Sequence, residues 1–255
     1  MSALPAIEGA APAGAAHRIG DLGVPDRRNG RGGPDVAPRP VGFPRVQTPH
    51  SGRGDQGGAW LRSIPLTLAV SVLLVLIHLA TVLAPGTFDA LVLSTEALAN
   101  GEAWRIVSGN LLHLDATHLG INLGAFAMLG SMLERRAGSL PLLGLMFGSA
   151  LAISTGVVLD PGIGAYCGLS GILNAVFAAL CAWEAARRRS WGWALLLAGG
   201  LAKIAWEWSS PALVPAMHGW PPHTLSHLVG YACGLAASGV MTCRRCARAI
   251  ARTLG

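Results

Sequence analysis

Apolar residues in this chain come in runs too long for strands. Six segments are dominated by Leu, Val, Ala, Ile and Gly: roughly Ile64–Leu83, Ala116–Leu133, Leu140–Leu159, Leu169–Ala186, Trp191–Trp208 and Thr224–Thr242. A bilayer core needs about 20 apolar residues per helix, and a helix satisfies its own backbone polar groups in lipid. The pattern predicts an all-α membrane protein with six transmembrane helices. Residues 1–60 differ. They are rich in Gly, Pro and Arg and show no sustained apolar period, so they cannot bury enough surface to fold. The expected organisation is a disordered tail over 1–60, a six-helix membrane domain over 61–243 and a short basic tail over 244–255. No apolar run follows Met1, so the tail does not read as a secretory signal.

The basic residues between the runs predict orientation. Arg53 and Arg62 precede the first run, Arg135 and Arg136 follow the second, and Arg187, Arg188 and Arg189 follow the fourth. Arg244, Arg245, Arg248 and Arg252 follow the sixth, whereas the connections after the third and fifth runs hold no Lys or Arg. Every second connection is basic, which places both termini in the cytoplasm. The long connection from Ala84 to Asp115, with Trp104 and Arg105, then lies outside, near the headgroups.

Composition agrees with this reading. Hydrophobic residues make up 52% and charged residues 13%, against about a quarter charged in a soluble domain. The net charge of +6 lies in the tail and the short turns, so the expected partner is the lipid bilayer and not nucleic acid. Cys243 and Cys246 form a CxxC, but no second ligand pair exists. No metal is expected, and nothing implies a cofactor.

Four polar residues inside the apolar runs change the picture. With the orientation above, Ser170 lies near the outer end of the fourth run, His227 near that of the sixth, and His118 and Asn122 near that of the second. Polar groups at such depth are costly and mark pathways or catalytic sites. A serine hydroxyl beside an imidazole is a nucleophile beside its general base. His118 and Asn122 are four apart and share a helical face; two fixed donors aimed at one point can stabilise an oxyanion. Taken alone, the same pair also suits hydrogen bonding between helices. Gly230 and Gly234 share a face with His227, and Gly171, Ala175 and Ala178 are equally small. Close packing of the fourth run on the sixth would bring Ser170 to His227.

As a set, His118-x-x-x-Asn122, Gly168-Leu169-Ser170-Gly171 and His227-x-x-Gly230-x-x-x-Gly234 resemble a rhomboid intramembrane serine protease. Trp104-Arg105 matches a pair in that family's first outer loop, and the likeness covers about Ser63 to Thr242. It implies a rhomboid-like six-helix bundle with Ser170 as nucleophile and His227 as base of a dyad. His118, Asn122 and the backbone amide of Ser170 would bind the oxyanion. Gly168, His113 and Asn174 would support the site. Many members have tyrosine where this chain has Asn174, whose carboxamide could orient His227 instead. Lys203-Ile204-Ala205-Trp206-Glu207 is similar to the rhombosortase branch, which is thought to trim bacterial proteins with C-terminal Gly-Gly membrane anchors. Lys203 and Glu207, being i, i+4, also read as a pair that neutralises itself. His78, His218 and His223 receive no task.

The resemblance implies a serine endopeptidase of the bacterial cytoplasmic (inner) membrane acting on single-span membrane proteins. Two other classes compete. A proteolytically inactive relative, acting in membrane-protein binding or quality control, would share the fold but usually lacks the serine or histidine. A small transporter would show inverted repeats, and none is visible between the two halves.

Overall fold

The protein is described by a computed structural model over residues 63–211, 220 and 223–254, without the side chains of 244–254. The tail expected to be disordered over 1–60 lies outside the described residues, as do His218 and the basic side chains after Cys243. In chain order the elements are α1 (Pro65–Leu83), α2 (Thr87–Leu91), β1 (Leu93–Ser94), α3 (Thr95–Ala99), α4 (Arg105–Leu111), α5 (Ala116–Ala137), α6 (Ser139–Val158), β2 (Ala165–Tyr166), α7 (Ser170–Arg188), α8 (Trp191–Ser209) and α9 (Thr224–Leu254).

The long helices α1, α5, α6, α7, α8 and α9 fall on the six apolar runs, and α9 continues well past the expected end at Thr242. Of these, α1, α5, α6 and the Thr224–Cys243 part of α9 are long and apolar enough to cross a membrane. α7 and α8 are of similar length but carry Glu184, Arg187, Arg188, Lys203 and Glu207. Large apolar side chains cover the outer faces, among them Val72 and Leu76 on α1, Phe147 on α6, Leu195 on α8 and Val240 on α9. Water would penalise so broad an apolar surface; lipid would not.

α7 is the central helix. It packs on α9, α8, α5 and α6, and Ile172, Ala175, Val176, Ala178, Ala179 and Leu180 are all buried. Between helices in lipid, burying Leu gains little, because the tails are equally apolar; close backbone approach and hydrogen bonds do the work. The glycines supply that approach. A Cβ on Gly230 would lie 2.0 Å from Gly171 O, and one on Gly234 would lie 2.2 Å from Ala175 O. α7 and α9 therefore touch backbone to backbone, which no larger residue allows.

Two glutamates stitch the helix ends farther along α7 from Ser170. Glu134, near the end of α5, accepts from Leu66 N at 2.9 Å, Thr67 N at 2.8 Å and Thr67 Oγ1 at 2.6 Å. Ser139 Oγ adds a fourth bond at 2.6 Å. One buried carboxylate thus caps the first turn of α1, whose amides have no intrahelical acceptor. Glu184 on α7 is fully buried and pairs with Arg136 at 2.8 Å, Arg187 at 2.9 Å and Arg188. Such burial is tolerable only with this many partners.

The connection from Ala84 to Asp115 is built, not slack. α2, α3 and α4 fold within it, and β1 pairs antiparallel with β2, Leu93 opposite Tyr166 and Ser94 opposite Ala165. Arg105 holds it together: its guanidinium donates to Asp89 O at 2.5 Å and Val92 O at 2.7 Å, and pairs with Glu102 at 2.6 Å. Trp104 Nε1 donates to Ala90 O at 3.2 Å.

Candidate active site

The approach to α7 is a strained turn held from three sides. Gly168 has φ +129°, a conformation L side chains rarely adopt. Its N–H donates to Gly109 O at 3.0 Å, and its carbonyl accepts from Tyr166 Oη at 3.1 Å. Gly109 leaves no room for a side chain: a Cβ there would lie 2.6 Å from Leu93 Cβ. At Gly168 a Cβ would also sit 3.1 Å from His118 Cε1. Glycine is thus required twice over, for its φ and for the imidazole beside it. Ser170 follows as the first residue of α7, where the backbone N–H has no acceptor within the helix.

His227 completes the contact. Its Nε2 lies 3.0 Å from Ser170 Oγ, and its Nδ1 lies 2.9 Å from Glu207 Oε2. An ionised carboxylate only accepts. With Glu207 ionised, the ring hydrogen therefore sits on Nδ1, and Nε2 is left to accept from the Ser170 hydroxyl. Lys203 Nζ lies 2.6 Å from the other oxygen, Glu207 Oε1. His227 and Glu207 are both buried.

His118 and Asn122 project from the N-terminal part of α5. Asp115 caps that helix, accepting from His118 N at 2.8 Å. His118 turns Cε1 and Nε2 toward Gly168, and the Cβ position of Gly168 is 3.9 Å from Ser170 Oγ. Asn122 is buried and donates one amide hydrogen to His118 O at 3.1 Å, which leaves its second hydrogen uncommitted among the described residues. His113 lies edge-on to His118, with ring centroids 5.0 Å apart. Burial, helped by the neighbouring His118, lowers the His113 pKa to about 4, so this ring stays neutral at physiological pH.

Asn174 is engaged away from the imidazole. Its amide donates to Ser170 O at 2.9 Å, and the acceptor at His227 Nδ1 is Glu207. The side chain that meets His227 Nδ1 is thus Glu207 and not Asn174; the sequence paired Glu207 with Lys203. Tyr166 and Gly109 were likewise missed. A two-residue strand carries no periodicity, and Gly109 lies in a connection with no long apolar run. Cys167, three residues before Ser170, is no rival nucleophile: burial pushes its thiol up to about 12, and the protonated thiol is unreactive.

Around the mouth, His223 Nε2 lies 3.6 Å from Asp160 Oδ2 and its ring packs edge-on to Tyr166. Burial lowers the His223 pKa, with Asp160 opposing. Trp220 packs edge-on against Phe88 at 6.4 Å. His78 lies on α1, remote in sequence from these groups, and its Nδ1 has no partner among the described residues. No three His, Cys, Asp or Glu side chains among the described residues converge as a metal site requires.

A family model for the Rhomboid domain matches residues 100–244, a stretch that contains every residue of this cluster. A curated relative, the Rhomboid protease GlpG of Haemophilus influenzae (strain ATCC 51907 / DSM 11121 / KW20 / Rd), is 39% identical over 116 residues. That alignment covers 44% of this chain and 58% of the relative.

Proposed function

This chain belongs to the rhomboid family, as a multi-pass membrane protein, and from that premise we propose that it is an intramembrane serine endopeptidase. The observation that supports this most is the 3.0 Å approach of His227 Nε2 to Ser170 Oγ. Ser170 Oγ attacks the scissile carbonyl while His227 Nε2 takes its proton. The oxyanion is met by the Ser170 N–H, His118 and Asn122. The imidazolium protonates the departing amine, leaving an acyl group on Ser170. Water, deprotonated by the same imidazole, then releases the new carboxylate. Gly168 and His113 support this pocket, the one by conformation and the other by packing on His118.

The chain crosses the cytoplasmic (inner) membrane six times, with residues 61–243 as the membrane domain and the flanking tails 1–60 and 244–255 in the cytoplasm. The serine then lies just below the outer surface. A transmembrane helix hides its carbonyls in internal hydrogen bonds, so a substrate must unwind there. Single-span proteins with glycine or other poor helix formers near the outer boundary fit best. C-terminal anchors preceded by Gly-Gly are the narrowest form of this class.

One experiment addresses both levels. Wild type, Ser170→Ala and His227→Ala are expressed in a host lacking the gene. A fluorophosphonate probe and the partition of single-span proteins between membrane and secreted fractions are then read. We expect wild type to be labelled on Ser170 and to release its substrates, and both variants to stay folded, unlabelled and inactive. Turnover in either variant refutes the protease assignment. Release of other single-span proteins, with Gly-Gly anchors left intact, refutes only the narrow substrate class.

A further inference from the structure

We propose that Glu207 is a positioning residue of this site, which converts the serine–histidine pair into a Ser170–His227–Glu207 triad spanning α7, α9 and α8. The inference rests on the protease reading above. It starts from an asymmetry within one helix. Lys203 and Glu207 are one turn apart, and mutual neutralisation would be satisfied wherever on α8 the pair pointed. Instead the lysine side chain is 50% exposed and the glutamate 5%. The carboxylate has been drawn inward, away from the surface where its counter-charge lies. Its two oxygens divide their labour: Oε1 meets Lys203 Nζ at 2.6 Å, and Oε2 meets His227 Nδ1 at 2.9 Å. A buried carboxylate is expensive in a bilayer, and an arrangement serving Lys203 alone would not need to bury it.

Two consequences follow for the imidazole. First, Glu207 can only accept, so it fixes the ring hydrogen on Nδ1 and the lone pair on Nε2, facing Ser170 Oγ. No other acceptor bonds to Nδ1 among the described residues. Second, when His227 takes the serine proton, the imidazolium forms 2.9 Å from a negative charge already in place. Stabilisation of that kind needs no reorganisation during the reaction. Lys203, at the far oxygen, balances the carboxylate's charge and moderates its pull. The charged and titratable groups that face His227 are Glu207 and Lys203 from α8 and His223 at the entry to α9; α7 contributes the Ser170 hydroxyl.

The full chain is reconstituted with a cleavable single-span reporter, in four forms: wild type, Ser170→Ala, Glu207→Gln and the double variant Lys203→Met with Glu207→Gln. Tm, kcat, KM and the pH dependence of fluorophosphonate labelling are read for each. Glutamine keeps the size but can donate to Nδ1, favouring the unproductive tautomer. We expect Glu207→Gln to lower kcat by about 10²–10⁴-fold, the usual worth of a positioned general base, with KM within a few-fold. The acid limb of the labelling profile should move to lower pH, because the imidazolium has lost its counter-charge. The double variant removes both charges, so it leaves no unbalanced lysine and should fold even if Glu207→Gln does not. It should remain equally slow. Recovery of wild-type kcat in the double variant would mean that Glu207 serves only to neutralise Lys203, and would overturn the proposal. So would a Glu207→Gln enzyme within three-fold of wild type with an unmoved acid limb. If Ser170→Ala itself cleaves the reporter, the protease reading has failed; if Ser170→Ala is dead and Glu207→Gln is not, only the triad has.

Discussion

His118 and Asn122 each hold hydrogen-bonding capacity in reserve. Asn122 spends one amide hydrogen on His118 O, and His118 Nδ1 has no partner among the described residues. Groups whose purpose was to join helices would be spent on a neighbouring helix, and the bond Asn122 makes is to its own. On the protease reading, His118→Ala or Asn122→Ala should lower kcat by roughly 10²–10³-fold, the loss typical of one oxyanion donor, with little change in Tm. Steady-state kinetics beside thermal melting would check this. A lowered Tm with unchanged kcat per folded molecule would return both residues to helix packing. At this scale the sequence was legible where a polar residue interrupts an apolar run, as at Ser170, His227, His118 and Asn122. At Glu207 only one partner was legible: the pair with Lys203 stands at 2.6 Å, and the contact with His227 was not visible. The i, i+4 lysine is visible in any helical reading, whereas the histidine 20 residues away is a neighbour only after α8 and α9 have packed.

The pairing of α7 with α9 sets the Ser170–His227 distance, on which the proposed chemistry depends. It is fixed by backbone contact at Gly171 with Gly230 and at Ala175 with Gly234, so no side chain can yield to relieve an added atom. Gly230→Ala would place a Cβ 2.0 Å from Gly171 O and must push the helices apart. Overpacking of this kind costs about 1–3 kcal/mol, and a misplacement of about 1 Å can cost about 10²-fold in rate. We therefore expect Gly230→Ala to lose both Tm and kcat, more than Gly239→Ala, whose Cβ would meet nothing within 4 Å. Comparable Tm for the two variants would contradict this packing. The small-residue face was readable from spacing alone. The short elements between α1 and α5 were not, because helices of five to seven residues make fewer than two turns and a two-residue strand holds a single period, too little for a pattern to repeat. Their order comes from Arg105 bonding to carbonyls 13 and 16 positions away, a tertiary fact.

For the whole molecule, the alternation of basic and non-basic connections remains the ground for orientation. Arg136, Arg187 and Arg188 also converge on Glu184, yet three guanidinium groups on one carboxylate leave that end positive and keep the topological signal. Reporter fusions after Arg189 and after Thr242 should both report the cytoplasm. A periplasmic signal at either point would invert the orientation and move Ser170 to the opposite membrane face. Cys243 ends the part of α9 apolar enough to cross, while the helix runs on to Leu254. Apolarity could predict where the span stops but not where the helix does.

The order of the three helices along the chain has a consequence in time. Ser170 is made 57 residues before His227, with Glu207 between them. At 5–20 residues per second, the serine precedes the imidazole by roughly 3–11 s. Throughout that interval the nascent chain holds a hydroxyl with no base beside it. On the triad reading, the carboxylate waits as well, paired with Lys203. On the same reading, the hydrolytic centre closes only when α9 enters, so a polypeptide interrupted before α9 would carry its nucleophile in an unreactive state. On the protease reading, a chain that would cut other membrane proteins is kept from acting until α9 has been made.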